Sequence, residues 1–425
     1  MAQSTIAIII LACIVVCFIA NRIPMAITAV LGAIAMACFG VISFSDAFAS
    51  FGADTVMMVF GVITIGNALF ETGCAQYVGS KMAKIKWVAA NEKRFLILSI
   101  IITALISAFS SNTATVAMMM PVVASMSQAS SGVITRKNTY MSIGFAAVCG
   151  GNLTLAGSTP QLIAQGILLQ TEGCRGLDFF ELTKGALPVI LLLILYFTTF
   201  GYKFQQRIFR FEEPPLPDGE EARIEYSRPK MICAGLIFLA CIVGFVTGVM
   251  TMGTVAVLGA SLCCLTGCIS FNNMIRRMDW TPIIVLGGSL GFAKGIEMSG
   301  AGAILADWLF DHLFCGAEPS PFLVGFVIVV TCSLLSNFVS NTAVAAIMTP
   351  IAIALARDMG VDPIPLAIMV ILSSNLAFAT PIGTPPVTMT LVAGYRFSDY
   401  IKVGGVFNLL AIIVVTTTLP LLYRY

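Results

Sequence analysis

The sequence is poor in charge: only 10% of its 425 residues are Asp, Glu, Lys or Arg, against about 25% in soluble domains. It holds one histidine, His312, and its thirteen cysteines stand singly in apolar runs apart from Cys263-Cys264 and Cys268. Without a Cys-x-x-Cys pair, neither zinc nor haem is expected, and the cysteines read as small buried hydrophobes. No His-Glu-x-x-His motif occurs, which argues against an intramembrane enzyme. No organic cofactor and no nucleic-acid partner is expected.

What fills the chain instead is apolar: 58% of residues are hydrophobic and the mean hydropathy is +0.96. The solvent around most of it is therefore lipid, and the fold class is an all-α polytopic membrane protein. Apolar runs long enough to span fall at about 5–20, 24–43, 54–72, 139–170, 185–203, 231–250, 252–270, 281–299, 363–393 and 402–422. The first run lacks the basic n-region of a signal peptide and reads as a retained helix.

Two more runs, about 94–128 and about 320–356, are each interrupted by a polar tip and read as two half-spans. The tips lie in Phe109-Ser-Ser-Asn-Thr-Ala-Thr-Val-Ala-Met-Met-Met-Pro121 and Phe338-Val-Ser-Asn-Thr-Ala-Val-Ala-Ala-Ile-Met-Thr-Pro350, identical at eight of thirteen positions at an offset of 229. Ser, Thr and Asn start helices because their side-chain oxygens accept from the first-turn N–H groups. Ser111-Asn112-Thr113 and Ser340-Asn341-Thr342 should therefore each begin a second helix at a tip. Such breaks are tolerated in lipid only where protein or a polar cavity surrounds them, and a matching pair points to a transporter's binding site. Re-entrant hairpins are the expectation.

With the N-terminus outside, this count places 18 of the 23 Lys and Arg in the cytoplasm and four outside, with Lys294 inside a span. That is the positive-inside pattern. It makes the halves inverted repeats, residues 1–202 and 231–425, joined by a polar linker at 203–230, with both termini outside. Each half is expected to carry about five spans and one hairpin, the first opening to the cytoplasm and the second to the exterior. Amphipathic stretches at Cys74 to Trp87 and Ile304 to Phe314 are expected along the membrane surface, a solvated helix end being the alternative. Glu71, Lys294 and Glu297 are expected to snorkel to the interface, although Lys294 and Glu297 share a helix face and could act as a proton-linked pair.

Downstream of each hairpin lies another polar break, Gly150-Gly-Asn-Leu-Thr-Leu-Ala-Gly-Ser-Thr-Pro-Gln161 and Asn375-Leu-Ala-Phe-Ala-Thr-Pro-Ile-Gly-Thr-Pro-Pro-Val387, containing Gly157-Ser158-Thr159-Pro160 and Gly383-Thr384-Pro385-Pro386. Gly frees the backbone and Pro disfavours helix before it, so both spans should unwind there. The released carbonyls are hard ligands, as in the sodium sites of broken-helix transporters. No Lys or Arg is expected near either tip, so the anion would be held without a salt bridge. Helix N-termini and amide and hydroxyl donors would hold it, and bound cations would offset its burial. Two tips suit an anion with two charged ends, such as a C4-dicarboxylate.

At these residues the chain resembles the divalent anion/sodium symporter family of the ion transporter superfamily, over nearly its whole length. The resemblance implies a homodimer in the cell membrane, with a scaffold at about 1–90 and 231–317. The hairpins and the spans after them would form a transport domain that moves like an elevator. It further implies a first sodium site at Ser107, Ser111, Asn112 and Gly157. A second falls on Ser336, Val339, Asn341 and Gly383, with Val339 and Gly383 giving carbonyls. Substrate contacts fall on Asn112, Thr113, Ser158, Asn341, Thr342 and Pro385. The family's loops end Pro-Pro-Asn, whereas here Gln161 and Val387 stand at the last position. The charge count also closes without the family's extra N-terminal helix. A sulfate or citrate carrier, a sodium-independent exchanger and a cation/proton antiporter are the competing functions.

Overall fold

The structure, a computed structural model, describes residues 2–20, 22–73, 77, 81, 88, 90–130, 133–214, 227–302, 304 and 320–423. Among these, regular structure is helical. The first half contains α1 (Gln3–Ala20), α2 (Met25–Cys38), α3 (Phe44–Ala49), α4 (Asp54–Glu71), α5 (Glu92–Ser107), α6 (Asn112–Ala129), α7 (Arg136–Gly151), α8 (Thr159–Gln170), α9 (Thr183–Thr198) and α10 (Gly201–Ile208). The second contains α11 (Arg228–Thr247), α12 (Met252–Leu265), α13 (Phe271–Arg277), α14 (Trp280–Met298), α15 (Pro321–Ser336), α16 (Asn341–Asp358), α17 (Pro363–Ser374), α18 (Pro385–Met389) and α19 (Gly405–Leu422). Most of the amphipathic stretches at 74–87 and 304–314, and the middle of the linker, lie outside the described residues.

Seven of the ten expected spans are each carried by one helix, α1, α2, α4, α11, α12, α14 and α19, and three are broken. Among the described residues, the stretches Phe44–Glu71, Arg228–Thr247 and Phe397–Leu422 are long and apolar enough to cross a membrane, and α1 is an apolar helix of 18 residues. The run at 139–170 divides into α7 and α8 around 152–158, where Gly and Pro end the helical ladder, and the run at 363–393 divides after α17. The run at 185–203 bends by 58° between α9 and α10, because its apolar sequence ends there and Lys203 and Arg207 turn away. The hairpin arms also exceed half-spans: α5 and α15 have 16 residues, and α6 and α16 have 18. At 1.5 Å per residue each is about 24–27 Å long.

Two groups of helices organise the packing. In one, α2 packs on α14 and α4 on α12, through small residues that let backbones approach. In the other the halves interlock. Helix α8, which follows the first loop, packs on α16 of the second hairpin, while α18, which follows the second loop, packs on α6 and α7. Each loop is thereby pinned by the opposite half. Helix α11 keeps Ile232, Leu236, Leu239, Val243 and Val246 exposed, the surface expected of a helix facing lipid.

The charges expected at the ends of the spans have polar partners. Lys294 Nζ lies 2.6 Å from Asp46 Oδ1 rather than beside Glu297, whose carboxylate accepts from the Glu172 N–H at 3.1 Å. Glu71 is largely buried and pairs with Arg277 at 3.3 Å, also accepting from Asn273 Nδ2.

Candidate functional site

The tips begin helices as their composition demands, but not by the expected caps. Ser111 and Ser340 occupy the N-cap positions of α6 and α16, yet neither side chain accepts from the first turn. Their backbone carbonyls instead accept from Thr115 N and Val344 N. The N–H groups at each tip thus remain directed toward the space ahead of the helix, where an anion is favoured.

Each loop is anchored to its own hairpin by the same device. The Thr154 hydroxyl donates to the Ala108 carbonyl at the end of α5, and the Thr380 hydroxyl donates to the Asn337 carbonyl at the end of α15. Asn337 Oδ1 also accepts from Ala379 N at 2.9 Å. These bonds satisfy backbone groups that the unwound segments free, so the breaks are fixed rather than slack.

The tips and loops of both halves line one cavity of about 420 Å³. Ser111, Asn112, Thr113, Gly157 and Ser158 border it from the first half, and Ser340, Asn341, Thr342, Gly383 and Pro385 from the second. Ser107, Ser336 and Val339 lie buried behind this wall. One end of the Asn112 carboxamide faces three oxygens: Ser107 Oγ at 2.7 Å, Ala147 O at 3.0 Å and Gly157 O at 3.2 Å. As Nδ2 it shares two hydrogens among the three; as Oδ1 it completes a set of four oxygens, the chemistry of a hard-cation site. On the other side, Gly383 sits so close to the Ser336 and Val339 carbonyls that a Cβ would overlap the former. Ser336 Oγ, fully buried, has no hydrogen-bond partner among the described residues. A buried hydroxyl unpaired in this way is costly unless something it can ligate comes to it.

Three features in and around the cavity add to the residues singled out from the sequence. Arg277 and Asp279, on and just after α13, line it together with Asn67 of α4, so the cavity that the tips border does hold a cation. Sequence proximity missed it because folding, not chain order, brings α13 there. The Ala147 carbonyl was equally hidden, since any residue supplies one. The third is a pair of asparagines, Asn152 and Asn375, each following the helix before its loop and joined by an Nδ2–Oδ1 bond of 2.7 Å. Both belong to the polar breaks downstream of the hairpins, Gly150 to Gln161 and Asn375 to Val387, but the bond between them depends on the fold.

Gln161 and Val387 stay clear of the cavity wall. Gln161 is fully buried and its Nε2 donates to the Gly151 carbonyl at 2.8 Å, bracing the first loop from behind. Val387 is buried near Gly144 on α7.

The citrate transporter family matches residues 15–367 and 313–425. An uncharacterized transporter of Haemophilus influenzae is 27% identical over 96% of this chain and 89% of its own length. The sodium-dependent dicarboxylate transporter SdcS of Staphylococcus saprophyticus is 26% identical over 94% of this chain and 82% of its own. Among solved structures, the YdaH transporter of Alcanivorax borkumensis aligns with a TM-score of 0.65 at 12% identity, covering 89% of this chain and 87% of that one. MtrF of Neisseria gonorrhoeae aligns at 0.60 and 11% identity, covering 99% and 94%. These last two likenesses concern the fold. With the family match extending over most of its length, the chain belongs to the citrate transporter family, and is a multi-pass membrane transporter rather than an enzyme.

Proposed function

We propose that the protein is a sodium-coupled symporter of a divalent organic anion of the C4-dicarboxylate kind. The observation that carries this reading is the single cavity in which Asn112 and Thr113 of one tip meet Asn341 and Thr342 of the other. Free N–H groups and amide and hydroxyl donors from both sides suit a solute with a carboxylate at each end. Burying two negative charges on neutral donors alone would be costly. A sodium ion among Ser107, Ser111, Asn112 and Gly157, and another among Ser336, Val339, Asn341 and Gly383, would offset that cost. Anion affinity would then depend on sodium, which is the physical meaning of coupling.

Arg277 adds positive potential at the entrance, where 61% of its side chain is exposed. It is suited to drawing anions in rather than to holding them, because an exposed charge is screened by solvent. With the Lys- and Arg-rich face in the cytoplasm and both termini outside, the cavity faces inward. The hairpins, α7–α9 and α17–α19 would move as one transport domain against the scaffold, in a homodimer within the cell membrane. The contact of α8 with α14 supplies an apolar surface along which such a movement can run.

Thermal-shift screening of purified protein against succinate, citrate and sulfate tests this reading. Stabilisation by succinate in sodium chloride but not in choline chloride supports it. Stabilisation by sulfate alone, or equal stabilisation in both salts, would redirect it to an inorganic anion or to exchange.

A further inference from the structure

We propose that Asn375 is the positioning residue through which the two halves of the site act as one, so that sodium at either set tightens the other. This rests on the reading above, that sodium accompanies the anion. Asn375 is 1% exposed yet borders the cavity. Every hydrogen-bonding position of its carboxamide is used. Oδ1 accepts from Asn341 Nδ2 at 3.1 Å and from Ser158 Oγ at 3.3 Å; Nδ2 donates to Asn152 Oδ1 at 2.7 Å and to the Ile371 carbonyl at 3.2 Å. An Asn has two donors and two lone pairs, so this side chain has one orientation and no spare capacity.

The partners matter as much as the count. Asn341 belongs to the second tip and its own Oδ1 accepts from Thr384 Oγ1 of the second loop at 3.2 Å. Ser158 belongs to the first loop, and Asn152 also accepts from Gln161 Nε2 at 3.3 Å. A continuous chain of bonds therefore runs from the second loop, through the second tip and Asn375, into the first loop. A cation drawing on Asn341 Oδ1 polarises that amide and strengthens its N–H bond to Asn375, as happens along buried hydrogen-bond chains. Asn375 then holds Ser158 in place for the anion, and with it the adjoining Gly157 of the first sodium set. Any swing of its carboxamide breaks bonds in both halves together. Coupling of this kind is reciprocal: the first half influences the second by the same factor.

The test is sodium activation of labelled-succinate uptake by the full-length protein in proteoliposomes. Two linked sites give wild type a sigmoidal curve with a Hill coefficient of up to about 2. Asn375→Ala should flatten it toward about 1 and raise the sodium concentration for half-activation. Ser158→Ala, which deletes one hydroxyl and leaves Asn375 in place, should flatten it as well and guards against an Asn375 variant that fails to insert. Thr342→Ala borders the cavity outside this chain of bonds and should raise the succinate KM while leaving the curve sigmoidal. If both Asn375→Ala and Ser158→Ala keep the wild-type Hill coefficient and lose only maximal rate, the linkage is overturned. Wild-type uptake indifferent to sodium would overturn the underlying reading instead, and with it this inference.

Discussion

The Arg277 guanidinium lies 3.3 Å from the Glu71 carboxylate at the entrance to the cavity between the two tips. Asn67 Nδ2 donates to the Arg277 carbonyl at 3.1 Å, which fixes the end of α13 against α4. The pair joins a cation that attracts the anion to a carboxylate that tempers the attraction. Arg277 is itself 61% exposed, and a solvent-exposed charge acting on an ion of opposite sign is worth about 0.2–1 kcal/mol, so Arg277→Gln should raise the succinate KM about 1.5- to 5-fold. Glu71→Gln should lower it. Both effects should shrink in high salt, where screening shortens to about 3 Å at 1 M. Equal KM values for the two variants at low ionic strength would contradict an electrostatic entrance.

Gly383 has no room for a side chain against the Ser336 carbonyl. Gly383→Ala must push the second loop away from α15, at a cost of about 1–3 kcal/mol for overpacking. Sodium activation should shift to higher concentration more than succinate affinity falls at saturating sodium. Gly405→Ala, where the added methyl meets only the Ala379 Cβ at 3.8 Å, should behave as wild type. Measuring both constants for both variants checks the assignment of the second sodium site.

Asn112→Ala and Asn341→Ala should each abolish transport while the protein still inserts in the membrane. A ligand at 100 times its Kd stabilises a fold by about 2.7 kcal/mol, so thermal shift reads binding separately from transport. Both variants should lose the shift caused by sodium and succinate together. A variant that keeps the full shift would remove its residue from the site.

The surface between α8 and α14 is closely fitted. A Cβ at Gly166 would come within 2.6 Å of the Leu290 side chain, which is fully buried. Gly166→Leu should jam relative movement of the two groups of helices, so that succinate still shifts the melting temperature but uptake falls at least about 10-fold. Uptake at wild-type rate would mean that α8 does not slide past α14.

Both tips and both loops could be read from the sequence because they violate its rule. Ser111-Asn112-Thr113 and Gly157 to Pro160 are polar, Gly- or Pro-containing interruptions in apolar runs, and lipid tolerates these only in protected places. Pairing with Ser340 to Thr342 and with Gly383 to Pro386 gave each interruption a counterpart. What stayed hidden was set by three-dimensional proximity. Arg277 reaches the cavity because α13 ends beside α4, and Ala147 offers a carbonyl that its side chain does not announce. The missing side-chain caps at Ser111 and Ser340 could not be read from composition either, since a Ser at an N-cap can turn its hydroxyl elsewhere.

Coupling to sodium is the claim on which the mechanism turns, and accumulation tests it most directly. Purified protein in liposomes should concentrate labelled succinate transiently above the external level when an inward sodium gradient is imposed. The same vesicles with choline in place of sodium should show no accumulation, and dissipating the gradient should release what was taken up. Equal uptake in sodium and choline would contradict the account.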